Sequence, residues 1–74
     1  MTIANAPAYA YWIYHYAGAF ASATACEEER QEFIEQETSA GQMFVAYPCG
    51  YHDRNPETRS GPAGWYFRWG IFAA

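Results

Sequence analysis

The C-terminal stretch GWYFRWGIF, residues 64–72, decides how the chain folds. It alternates with period two. Trp65, Phe67, Trp69 and Ile71 fall on one side of an extended strand, and Tyr66, Arg68, Gly70 and Phe72 on the other. The first set is uniformly large and apolar, which suits a sheet face packed against a helix. Aromatic side chains favour the pleated surface of a strand.

Working outward, a second aromatic run occupies residues 8–16, AYAYWIYHY. Its two sides, Tyr9, Tyr11, Ile13 and His15 against Ala10, Trp12, Tyr14 and Tyr16, are both mostly apolar. That pattern predicts a strand covered on each side or lying in an interface, ended by Gly18 and the small residues after it. Residues 42–47, QMFVAY, read as a short strand stopped by Pro48 and Gly50. A polar loop over residues 51–63 carries Asp53-Arg54-Asn55-Pro56 and Ser60-Gly61-Pro62 and is longer than a tight hairpin turn.

Between the first two strands, residues 25–39 predict a helix. Thr24-Ala25-Cys26-Glu27 fits a capping box, acids crowd the expected first turn, and Gly41 suits the position just past the end. Cys26, Phe33, Ile34 and Ala40 share one side, flanked by Arg30 and Glu37. Glu28, Glu32 and Glu35 fall together opposite. The expected fold is α+β, in the order β-α-β-β, with a three-stranded sheet and one helix on one face. Trp65, Phe67, Trp69, Phe33, Ile34 and Phe44 form the expected core.

The chain has 74 residues, enough for a single domain, residues 1–74, that buries about 60% of its unfolded surface. It is 51% apolar and 16% charged, which excludes disorder. The fifteen Phe, Tyr and Trp residues call for about 3,000 Å² of burial. The whole chain buries only about 7,500 Å². One helix cannot cover both sheet faces, so some of Tyr9, Tyr11, Tyr14, Tyr16, Tyr66 and Phe72 are expected at the surface or in an interface, where Tyr and Trp are favoured.

Net charge is −4. Six Glu and one Arg sit within residues 26–40, while residues 1–25 carry no charge. Four Arg and no Lys make no basic face, so direct nucleic-acid binding is not expected. The uncharged segment before Cys26 lacks the basic flank and Leu-rich core of a signal peptide or membrane span. His15, Cys26, Cys49 and His52 are zinc-compatible, but Cys49-Gly50-Tyr51-His52 has no paired second motif. No nucleophile elbow, phosphate loop or dinucleotide fingerprint occurs. No metal, cofactor or catalytic residue is therefore assigned, and the protein is not expected to be an enzyme. Two cysteines do not make a disulfide framework; one bridge is an option, and a reduced cytosolic pair is the simpler reading.

A compact chain, the acidic helix around Glu27–Glu37, a few aromatic strands and no catalytic motif together resemble small phage-encoded anti-defence proteins of the anti-CRISPR type. The resemblance is one of character, and no functional residue is carried across. It implies stoichiometric inhibition of a host nucleoprotein complex from the host cytoplasm. The residues themselves point to a protein partner with a basic surface, met by a joint aromatic and acidic face: Glu28, Glu32, Glu35, Tyr9, Tyr11 and Tyr66. The alternative is a small structural subunit that forms homo-oligomers through its aromatic sheet face.

Overall fold

The computed structural model describes residues 10–73. It is an α+β fold: β1 (Tyr11–Phe20), α1 (Ala23–Ala40), β2 (Phe44–Ala46), β3 (Gly50–His52) and β4 (Gly64–Ala73). All strand pairs are antiparallel, and β4 lies between β1 on one side and β2 and β3 on the other. The sheet thus has four strands where three were expected. Pro48 and Cys49 break the second edge, and its two halves meet β4 with a one-residue change of register: Ala46 faces Trp69, and Gly50 faces Tyr66. Proline has no N–H for the ladder, so the chain bends there and resumes pairing one residue out of step.

β1 runs past the break expected at Gly18. The register with β4 shifts between Ala17 and Phe20, which is a bulge. Gly18 has φ +141°, and a Cβ there would stand 2.6 Å from the Tyr66 ring and the Trp65 carbonyl oxygen. The glycine admits the close approach that lets the strand continue to Phe20, whose ring stacks on Phe67 at 6.2 Å.

Because β1 ends later than expected and only two residues follow before the helix, the cap moves as well. Ser22, not Thr24, is the N-cap, and its hydroxyl accepts the Ala25 N–H at 3.0 Å. The helix begins at Ala23, so no acid stands in its first turn. Its other end is as the sequence reads. Gly41 adopts φ 70°, its N–H bonds the Thr38 carbonyl, and the Gln42 N–H bonds that of Glu37, which is a Schellman closure.

The helix packs on the Trp65–Phe67–Trp69 side of β4. Phe33 lies within 5.2–6.2 Å of the rings of Phe44, Phe67 and Trp69. A covalent and a polar device reinforce this thin contact. A disulfide joins Cys26, fully buried, to Cys49 and ties the helix to the broken edge, correcting the reading of a reduced pair. Arg30 donates to the carbonyls of Ala46 and Tyr47 at 3.0 Å each and to Glu27 at 2.9 Å. Arg30, at the flank of the apolar side, is therefore a clamp between helix and sheet.

The fully buried apolar residues are Cys26, Tyr66 and Phe67. Trp65, Trp69, Phe33, Ile34 and Phe44, expected as core, are only half-buried. One helix over a four-stranded sheet makes a two-layer structure, and large rings in it keep one side in solvent.

Candidate interaction surface

The sheet face opposite α1 divides into two halves. The half near the start of β4 is closed by the 53–63 loop. Tyr66 lies there 1% exposed, its hydroxyl donating to the Pro62 carbonyl at 2.6 Å. The His52 ring meets it edge-on at 5.8 Å, and Tyr16 in turn meets His52. Tyr66 is therefore an interior residue and not a contact residue, which corrects its place in the expected site. The period-two pattern put it on the correct face but could not show that a loop folds over it.

That loop is held by Asn55, whose side-chain oxygen accepts the N–H of Glu57 at 2.8 Å and whose backbone bridges to Ser60. The turn presents Glu57 to the outer edge of β1. One carboxylate oxygen accepts the Tyr16 N–H at 2.9 Å, and the other meets His15 Nδ1 at 2.8 Å. The Tyr16 N–H and then the His15 contact hold the Glu57 carboxyl below its ordinary 4.5. A carboxyl depressed on folding contributes stability that is present above the unfolded value and is lost as pH falls through the folded one. The Tyr16 amide protection factor is therefore expected to stay level from neutral pH to about 4.5 and to collapse in stronger acid. Unchanged Tyr16 protection at the acid end would show that Glu57 does not hold this edge.

The other half of the face is covered by no described element. Trp12 and Tyr14 stack at 6.1 Å, and Phe72 meets Trp12 edge-on at 5.5 Å. Tyr14 lies flat across its register partner Gly70, where a Cβ would stand 2.7 Å from the ring. This absence of a side chain at position 70 lets the Tyr14 ring lie down on the sheet. The Arg68 guanidinium sits 4.2 Å from the Tyr14 ring centre and 5.7 Å from that of Tyr47. The result is a band of rings running from β1 across β4 to the end of β2, with one cation in the middle. Tyr14 is 37% and Tyr47 42% exposed. No ion pair among the described residues includes Arg68, so no described carboxylate meets its guanidinium.

The other expected site residues separate. Glu28, Glu32 and Glu35 are exposed on α1, on the side turned away from Cys26, Arg30 and Phe33. They therefore point away from the sheet, and the open aromatic face lies on the far side of the molecule. Among the described residues, the acidic stripe and the open aromatic face do not form one surface. Tyr11 is exposed, but its register places it on the helix side of β1. Tyr9 lies outside the described residues. Tyr47 and Arg68 were missed as surface residues. The signal available for Arg68 was a lone charge inside an otherwise aromatic strand.

Among the described residues, no three His, Cys, Asp or Glu side chains converge, and both sulfurs are taken up in the disulfide. No described helix is long and apolar enough to cross a membrane. No family model, curated protein or solved structure matches the chain.

Proposed function

We propose that this protein acts by binding another protein, without turnover, through the open half of its sheet: Trp12, Tyr14, Tyr47, Arg68 and Phe72. The observation that carries this reading is the aromatic band, covered by no described element, with a guanidinium at its centre that no ion pair of the described residues includes. Interfaces concentrate their affinity in Trp, Tyr and Arg anchors that are already held in place. Here Gly70, Phe72 and the cation–π contacts hold them. The partner patch that fits is apolar, with a carboxylate or carbonyl oxygen to receive Arg68. A basic partner suits only the opposite, helical side. Disulfides persist in oxidising surroundings, so with the bridge present a cytoplasmic site of action rests on the anti-defence resemblance alone.

A second reading is inhibition of a nucleoprotein complex of the anti-CRISPR kind. The exposed Glu28, Glu32 and Glu35 favour it, since the ion pairs of the described residues do not include them. Their carboxylates would stand where phosphates lie. One set of variants separates the two readings. Affinity for a captured partner is expected to fall at least about tenfold on Tyr47→Ala or Arg68→Ala. The triple reversal of Glu28, Glu32 and Glu35 to Lys is expected to leave it nearly unchanged. The opposite pattern would move the site to the helix.

A further inference from the structure

The two sheet edges are guarded unequally. On the β2 side, Arg30 occupies the carbonyls of Ala46 and Tyr47. On the β1 side, Glu57 occupies the N–H of Tyr16. In an antiparallel pair, residues alternate between bonding the neighbouring strand and facing away from it. The Tyr16 N–H faces away from β4, and the register from Tyr11 to Ala17 is unbroken. The N–H and C=O of Trp12 and Tyr14 therefore face outward too. Among the described residues no side chain or backbone group bonds them. Nor does residue 11, 12, 13 or 14 carry a charge or a proline. These are the features by which natural proteins blunt an exposed edge.

We infer that the outer edge of β1 pairs with the same edge of a second copy, antiparallel about Ile13. Parity supports this register. With Ile13 opposite Ile13, Trp12 of each chain lies opposite Tyr14 of the other, and all four of these residues present their free N–H and C=O outward. The contact is isologous, as a closed two-fold dimer requires. It sets Trp12 beside Tyr14 across the new seam on the open face, where cross-strand aromatic pairs add stability. Extension past His15 is stopped by Glu57, which already holds the next outward N–H. The same strap therefore limits pairing to one short segment and prevents a longer, sliding register. The inference rests on the strand edge and stands apart from the binding role given to the face.

The test uses the full chain, made by chemical ligation with and without N-methylation of Tyr14. The methyl removes the outward donor and leaves the ring and every bond to β4 in place. Sedimentation equilibrium is expected to show a shift from 8.4 kDa to twice that mass as concentration rises. N-methylation is expected to weaken the dimer roughly ten- to a hundredfold, for the two symmetry-related bonds lost. In the unmodified chain, the amides of Trp12 and Tyr14 are expected to gain exchange protection with concentration, while those of the other edge do not. A monomer at all concentrations would overturn the proposal. So would a dimer indifferent to N-methylation, or protection of Trp12 and Tyr14 that does not depend on concentration.

Discussion

Phe67→Ala is expected to cost about 3–5 kcal/mol. A chain of this length has roughly 4–11 kcal/mol of stability in total, so the variant should be largely unfolded or close to it. Phe67 is 3% exposed and is the point where the layers meet: Phe20 of β1 stacks on it, and Phe33 of the helix tilts against it. Removing the ring leaves a cavity that neither neighbour can fill, since Phe20 is fixed behind the Gly18 bulge and Phe33 is shared with Phe44 and Trp69. Tyr51, 61% exposed and touching Trp65 edge-on, provides the contrast, with less than about 1 kcal/mol expected for Tyr51→Ala. Urea titration followed by near-ultraviolet circular dichroism reads both. Equal midpoints for Phe67→Ala and the unchanged protein would show that the layers do not meet at Phe67.

Loss of the disulfide is expected to have the next largest effect. Cys26 and Cys49 are 23 residues apart, and closing a loop of that length in the unfolded chain is worth about 3 kcal/mol. In a domain this small, that corresponds to a fall in melting temperature on the order of 15 °C. The contribution is large relative to what else attaches the helix. Apart from Cys26, no residue of α1 is fully buried, so its docking rests on the bridge, on Phe33 and on the Arg30 clamp. The double variant Cys26→Ala, Cys49→Ala avoids burying a hydroxyl and is the cleaner comparison. Its melting curve is expected to match that of the reduced wild-type chain. If oxidised, reduced and substituted chains all melt together, the bridge is not what ties α1 to the sheet.

The parts of this fold legible in the sequence are those where one local rule acts alone. The period of two from Trp65 to Ile71 set the strand and the side that meets the helix. Gly41 marked the helix end because a left-handed cap strongly favours glycine. Elsewhere two local rules competed and tertiary structure chose between them. Gly18 reads equally as a strand end and as a bulge, and the approach of the Tyr66 ring decided for the bulge. Ser22 and Thr24 both cap helices, and the extra length of β1 selected Ser22. β3 has three residues, too few for any periodicity.

The same limits governed the site. The surplus of aromatic area was legible as a sum, and the structure agrees that most rings are not fully buried. Which rings were left over was not legible. Tyr66 and Tyr14 share a face, yet the Asn55 turn closes the loop over one and leaves the other bare. The separation of the acidic stripe from the aromatic band follows from the helix lying on the face that Trp69 lines. Once that packing is known, Glu28, Glu32 and Glu35 have only the far side to occupy.

Partners are expected to meet the open sheet face around Arg68 and not the acidic helix. Photocrosslinking tests it most directly, with a benzophenone amino acid placed at Tyr47 in one chain and at Glu32 in another. Position 47 borders Arg68 and lies away from the β1 edge, so a second copy paired there does not account for its adducts. Irradiation in the native cell is expected to join a different protein to the chain at position 47 and to give no such adduct at position 32. Foreign-protein adducts at position 32, with none at position 47, would contradict the account.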